Sequence, residues 1–76
     1  MDYPHPPANM PEPVSSEAGF KIAWNYYATE EEAKIASAYF GGPHAQYRLS
    51  QGFDFGYQVP GTITPMSNGT WCVIEG

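Results

Sequence analysis

The chain has 76 residues, with three Lys or Arg against eight Asp or Glu, and a formal net charge of −5. Domains commonly take roughly 100–150 residues, so this length allows one domain at most, and three basic residues are too few to bind a nucleic-acid backbone. One cysteine and two histidines predict no internal disulfide, no metal site and no cofactor. We expect no membrane partner and no secretion, because no apolar run approaches the ~20 residues of a membrane span and no secretory leader opens the chain.

The first 13 residues hold most of the prolines, namely Pro4, Pro6, Pro7, Pro11 and Pro13. Proline fixes φ, lacks a backbone donor and favours extended geometry in the residue before it. The sequence therefore predicts an extended arm over residues 1–18, of polyproline-II and turn character and outside any sheet or helix. Four side chains of this arm are suited to docking on a partner: Tyr3, His5, Met10 and Val14.

After the arm, aromatic and apolar residues occupy every second position from Phe20 to Tyr26. This period of two predicts a strand over residues 20–27. Thr29, with Glu32 three residues later, is a capping box and predicts a helix start. Glycines 41 and 42, followed by Pro43, predict the end of that helix.

Residues 44–51 allow two interpretations. They can restart a helix, with Pro43 in its first position and Gly52 as its stop, or form a strand that presents Tyr47 and Leu49 on one face. We prefer the helix because Ala, Gln, Arg and Leu favour it.

The remainder of the chain is typical of β structure. Residues 53–59 alternate apolar and polar positions and predict a strand, which Pro60 and Gly61 end in a type II turn. Strands over 62–66 and 70–74 are joined through Asn68-Gly69, a strong hairpin signal, and Pro65 places the first of them at a sheet edge or at its own end. The predicted fold is α+β: a small β-α-β-β module whose antiparallel sheet is covered by one helix or two short helices, over residues 19–76, after the extended proline-rich arm of residues 1–18.

One helix layer covers one face of such a sheet. We expect the other face to carry Ala23, Tyr27, Cys72 and Ile74, which form an apolar surface of the kind that binds partners. Tyr27 and Trp71 therefore join the four arm residues as predicted partner-binding residues. An equally good interpretation is that a small domain uses large aromatics to fill its core.

Catalytic interpretations find little support. Cys72 lies in a predicted apolar strand, where an inert buried thiol is expected, and His44 follows Gly-Gly-Pro and is expected in a turn. The acids Glu30 to Glu32 are explained by helix capping. Asp54, between two phenylalanines, is expected at the surface or in a turn, with desolvation by its aromatic neighbours as the alternative. We predict that the protein is not an enzyme.

In length, acidity and its single βαββ-like module, the chain resembles small phage-encoded accessory proteins. That resemblance implies a non-enzymatic structural accessory of a larger assembly: a capsid decoration or cement protein, present in the virion, whose arm clamps adjacent capsid subunits. The expected partner is a protein, a major subunit of the assembly, and homo-oligomerisation is a further option. The alternative is a small acidic inhibitor or adaptor that blocks a host or defence protein as a nucleic-acid mimic; outside a virion we expect a cytoplasmic location.

Overall fold

Four strands and two helical pieces follow one another along residues 2–76, the part of the chain that the computed structural model describes. In chain order they are β1 (Ser15–Ala18), β2 (Ala23–Tyr27), α1 (Glu30–Phe40), α2 (Pro43–Ser50), β3 (Ile63–Pro65) and β4 (Trp71–Glu75). The strands form one antiparallel sheet in the order β1-β2-β4-β3. The α+β prediction is confirmed, with four strands in a ββααββ order. Neither helix in residues 2–76 has the length and apolar character needed to cross a membrane.

The predicted capping box starts α1. The Thr29 hydroxyl accepts from the Glu32 backbone N–H at 3.2 Å and donates to the Glu32 carboxylate at 3.0 Å. The carboxylates of Glu30 to Glu32 also lie at the positive end of the helix dipole. Residues 44–51 adopt the preferred helix for all but the last position: α2 begins with Pro43 and follows the two glycines that end α1.

The N-terminal arm is not confirmed as an extended segment outside the sheet. Ser15–Ala18 form edge strand β1, in register with β2 from Ser15 opposite Tyr26 to Ala18 opposite Ala23. All four of these residues are exposed, so no apolar alternation marks them as a strand, and backbone pairing with β2 is what places them in the sheet. Residues 2–14 contain no strand or helix, and Met1 lies outside the described residues.

Two predicted strands also differ from the structure. β2 begins at Ala23, because Phe20 and Lys21 form the turn between β1 and β2, with Lys21 at φ 67°. Residues 53–59 form no strand: Asp54 Oδ1 accepts from the Gly56 N–H at 2.8 Å, and Gly56 has φ 63°. These features bend the chain. Both edges of β4 are already paired, by β2 and β3, so residues 53–59 cannot add a strand beside it.

The two turns predicted near the end of the chain are present. Thr62 N–H donates to the Val59 carbonyl at 3.1 Å, and Gly61 has φ 89°, as a type II turn requires. The hairpin through Asn68-Gly69 joins β3 to β4, with the Met66 N–H donating to the Thr70 carbonyl at 2.9 Å. β3 is an edge strand that ends at Pro65, as predicted.

The core lies between α1 and one face of the sheet, which we call the helix face. Its buried residues are Tyr27, Ala33, Ala36, Tyr39, Phe40 and Val73, and Met10, Ile63 and Trp71 pack against them. The prediction that Tyr27 lies with Cys72 on the uncovered face is therefore wrong. The register pairs Tyr27 with Trp71 and Tyr26 with Cys72, so Tyr27 points to the helices and Tyr26 points away from them.

Candidate functional site

The sheet face opposite the helices is the best candidate for a functional surface, and we call it the open face. It forms a shallow depression of about 410 Å³. Its lining residues are Glu17, Trp24, Tyr26, Gln58, Thr64, Met66, Cys72 and Ile74. They come from all four strands, the segment before β3 and the residue that follows β3, so the complete sheet is needed to build the surface.

Strand register arranges these side chains in two rows across the sheet. Glu17 lies opposite Trp24, and Trp24 lies opposite Ile74, which forms the first row. Tyr26 and Cys72 are paired in the second row. Because side chains alternate between the two faces of a strand, the neighbours of Trp24 and Tyr26 along β2 point to the helices. Trp24, Tyr26, Cys72 and Ile74 remain on the open face, and they form an aromatic and aliphatic floor.

Close backbone packing holds the Trp24 indole in its place. A Cβ atom at Gly19 would lie 2.6 Å from Cζ3 and 2.7 Å from Cη2 of Trp24. The indole therefore lies directly against the Gly19 backbone, at the end of the β1–β2 hairpin. Only a residue without a side chain leaves room for this contact.

A single acidic group borders the apolar floor. The Tyr26 hydroxyl donates to Glu17 Oε1 at 3.1 Å. Burial, followed by the hydrogen bond to Glu17 and its charge, raises the pKa of the Tyr26 hydroxyl. Burial, followed by the charge of Glu17, also raises the pKa of the Cys72 thiol. The thiolate form of Cys72 is thus disfavoured, and the thiol is 6% exposed, which fits an unreactive cysteine.

The predicted partner-binding residues of the arm do not form one surface. Tyr3 packs edge-on against Tyr47, with ring centroids 4.9 Å apart, and also contacts the ring of His44. The Pro4 carbonyl accepts from the Tyr39 hydroxyl at 2.8 Å. Tyr3 lies on α2 and is still 54% exposed, His5 and Val14 are exposed, and Met10 is half-buried against the core.

The two predicted strand residues lie on the helix face. Tyr27 is 1% exposed and Trp71 is half-buried against the core cluster. Tyr27 therefore presents almost no surface to a partner. Trp24 and Tyr26 of the open face are not among the residues predicted from the sequence. Their spacing at every second position indicates a strand, but it does not say which of the two faces meets the helices.

A buried polar centre beside the core was also missed. His44 is 3% exposed and belongs to α2, so its predicted place in a turn is wrong. Its Nε2 lies 2.9 Å from the Gly76 backbone oxygen, which also accepts from Arg48 Nε at 3.1 Å. Since that oxygen only accepts, the imidazole proton is on Nε2, and Nδ1 is buried without a partner. No local signal in the sequence indicates a contact between α2 and Gly76.

The remaining polar residues show structural roles. Asp54 is exposed and accepts from the Gly56 N–H in a turn, which agrees with the expectation of a surface or turn residue. Asn25, which is 6% exposed, accepts from the Ser16 hydroxyl at 2.6 Å and donates to Glu75 Oε1 at 2.7 Å, and so links β1, β2 and β4. Within residues 2–76, no group of three or more His, Cys, Asp or Glu side chains is arranged to hold a metal ion.

Comparison of the chain with protein-family models, with curated proteins and with solved structures found no match.

Proposed function

We propose that this protein is a non-enzymatic structural accessory that binds a protein subunit of a larger assembly through its open face. The observation that carries this proposal is the pair of half-buried aromatic rings of Trp24 and Tyr26 on the sheet face that no helix covers. They lie beside Cys72 and Ile74, which are 6% and 9% exposed. An antiparallel sheet with one solvated face normally alternates apolar and polar residues, with the polar side outward. Here the outward side carries aromatic and aliphatic residues, which is typical of a surface that another molecule covers.

The composition of the open face supports a protein as that molecule. Tryptophan, tyrosine and methionine are enriched at protein interfaces, and tryptophan and tyrosine are frequent among the residues that dominate binding energy. All three residue types line this depression. Nucleic acid is a poor candidate because Glu17 is the charged residue of the lining and it is acidic.

The proposed assembly is a viral capsid that the protein decorates or cements, which places the protein in the virion. In this proposal the arm makes a second contact. Met10 packs against the core and Tyr3 lies on α2, whereas His5, Val14 and the exposed part of Tyr3 are available to a neighbouring subunit. A proline-rich segment loses little conformational entropy when it docks, so it adds contacts at high effective concentration once the open face is bound.

The experiment is a binding assay with virions purified from the source of the chain. The wild-type protein is expected at a fixed ratio to the major capsid subunit, and Trp24→Ser is expected to bind at least about tenfold more weakly, as interface hot spots do. Tyr57→Ser is the matched control, because Tyr57 is an aromatic residue that is 103% exposed and lies outside the open face. Absence from virions overturns the capsid assignment. Equal binding by Trp24→Ser and Tyr57→Ser overturns the open face as the binding surface.

The acidic-inhibitor alternative depends on Glu30 to Glu32. Glu32 is hydrogen-bonded within the capping box, and Glu30 lies 3.9 Å from Lys34, so helix capping already explains these acids. If the alternative is correct, Glu30→Lys with Glu31→Lys will weaken binding and reduce its salt dependence. The open-face proposal expects neither effect.

A further inference from the structure

The first row of the open face places three kinds of side chain in line across the sheet. Glu17, Trp24 and Ile74 are consecutive partners in the register of β1, β2 and β4. Neighbouring strands lie roughly 4.8 Å apart, so a carboxylate, an indole and an aliphatic group follow one another over about 10 Å of one surface. A ligand on this row meets a negative charge at one end and an apolar floor at the other.

The chain does not supply a cation for Glu17. In residues 2–76 the ion pair present is the one between Lys34 and Glu30, and the carboxylate of Glu17 accepts from the neutral Tyr26 hydroxyl. Every cationic side chain of the protein has another contact: Lys34 with Glu30 at 3.9 Å, Arg48 Nε with the Gly76 oxygen at 3.1 Å, and Lys21 Nζ above the Phe20 ring at 5.4 Å from its centroid.

Glu17 is exposed on edge strand β1, so a partner that covers it has to supply the compensating positive charge. Covering Glu17 with apolar atoms alone would remove water from a carboxylate without compensation, which is strongly unfavourable. A guanidinium group fits the position better than an ammonium, because its planar fork binds a carboxylate through two hydrogen bonds and it stacks on aromatic rings. Trp24 offers such a ring directly beside Glu17.

We propose that the open face binds a partner segment in which an arginine is accompanied by a large apolar side chain. The guanidinium pairs with Glu17 and stacks on the half-buried Trp24 indole, while the apolar side chain packs on the aromatic floor beside Ile74, which is itself 9% exposed. This inference rests on the proposed function, since it names the partner chemistry of the same surface. A second copy of the chain is a poor occupant, because Arg48, the arginine of this sequence, is half-buried and already donates to Gly76.

Two synthetic peptides test the inference. The first is acetyl-Thr-Arg-Thr-Leu-Thr-amide, in which Arg and Leu point to the same side of an extended chain. The second replaces arginine with citrulline, which keeps the shape and removes the charge. Titration of isotope-labelled protein by NMR should shift the Trp24 indole and Ile74 methyl signals. The arginine peptide should bind about tenfold more tightly than the citrulline peptide, as expected for a charge-assisted pair.

Protein variants complete the test. Glu17→Gln should lower the affinity for the arginine peptide to that for the citrulline peptide and leave the citrulline peptide unaffected. Glu31→Gln is the control, because it makes the same change in net charge at an exposed residue of α1. A native-like NMR spectrum establishes that each variant is folded. Equal affinities for the two peptides, signal shifts away from the open face, or no shifts at millimolar peptide overturn the inference.

Failure of this inference is distinguishable from failure of the proposed function. If virion binding is lost in Trp24→Ser but unchanged in Glu17→Gln, the open face binds the assembly and the arginine assignment is wrong. If virion binding is unchanged in Trp24→Ser while the peptides discriminate as described, the open face recognises arginine and the proposed function is wrong.

Discussion

The Tyr26 hydroxyl donates to the Glu17 carboxylate at 3.1 Å, across the boundary between edge strand β1 and central strand β2. This bond fixes the one acidic group of the open face beside its aromatic floor. It also makes a short edge strand of exposed residues part of the candidate binding surface.

The Glu17–Tyr26 pair has a measurable consequence for titration. Glu17 contributes to the raised pKa of Tyr26, together with burial. In Glu17→Gln the negative charge is absent, so the pKa of Tyr26 should fall toward its ordinary value of 10.0. NMR titration of the tyrosine ring signals measures this shift. Tyr57, which is fully exposed, serves as the internal reference, and an unchanged Tyr26 pKa would show that the pair has no electrostatic effect.

The cap of α1 is expected to contribute to stability. Thr29→Ala removes the hydroxyl that accepts from the Glu32 N–H and donates to its carboxylate. The expected loss is about 1 kcal/mol in the free energy of unfolding, measured with denaturant. Thr29→Ser retains a hydroxyl and should recover most of that loss. A Ser variant as unstable as the Ala variant would mean that the hydrogen bonds are not the cause.

Gly61 and Gly69 have nearly the same positive φ, so substitutions there distinguish backbone strain from steric crowding. Gly61 has φ 89° and Gly69 has φ 90°, but a Cβ at Gly61 would lie 2.7 Å from the Gly41 Cα, whereas one at Gly69 would have no neighbour within 4 Å. Gly69→Ala should lower the free energy of unfolding by about 1 kcal/mol, because alanine is strained in the left-handed conformation. Gly61→Ala should cost a further 1–3 kcal/mol, roughly, because backbone must move. Equal losses would indicate that the turn relaxes away from α1.

Local signals predicted local structure, and the errors came from long-range pairing. Thr29 with Glu32, and Asn68 with Gly69, each define a turn or cap within a few residues, and both predictions are confirmed. The face of Tyr27 depends on its pairing with Trp71 in a distant strand. Periodicity says that neighbouring residues of a strand face opposite ways, but it does not say which face the helices cover.

The candidate site shares this dependence on distant pairing. Trp24 and Tyr26 were identified as strand residues, but their exposure follows from the position of the helices. β1 has no sequence signature because its four residues are all exposed. Glu17 therefore joins the site only through the register that sets it opposite Trp24.

The hydrogen bond from the Tyr39 hydroxyl to the Pro4 carbonyl is expected to protect the N-terminal segment from proteolysis and hydrogen exchange. Tyr39→Phe removes the donor to the Pro4 carbonyl and keeps the ring that packs in the core. The expected loss of local stability is about 1 kcal/mol, seen as faster proteolysis or hydrogen exchange within residues 2–14. Tyr57→Phe removes an exposed hydroxyl and should change neither. Equal protection in both variants would show that Tyr3 and Met10 hold the segment without this bond.

High pH should destabilise the protein through Tyr27. Burial, with the carboxylates of Glu75, Glu12 and Glu32 adding to it, raises the pKa of Tyr27 to about 12, whereas a tyrosine in the unfolded chain titrates near pH 10. Between these values the folded state retains a proton that the unfolded state has released. The stabilisation is therefore fully present below pH 10 and is lost as the pH rises to about 12, a loss of roughly 2–3 kcal/mol.

Denaturant unfolding below pH 10 and near pH 12 measures this loss, with Tyr27→Phe as the matched variant. Phenylalanine keeps the buried ring and has no proton to lose, so the variant should lose less stability than the wild type over the same interval. Tyr26, Tyr39 and Cys72 also have raised pKa values, so the variant is expected to retain part of the loss. If the two proteins lose the same free energy, Tyr27 does not govern the alkaline transition.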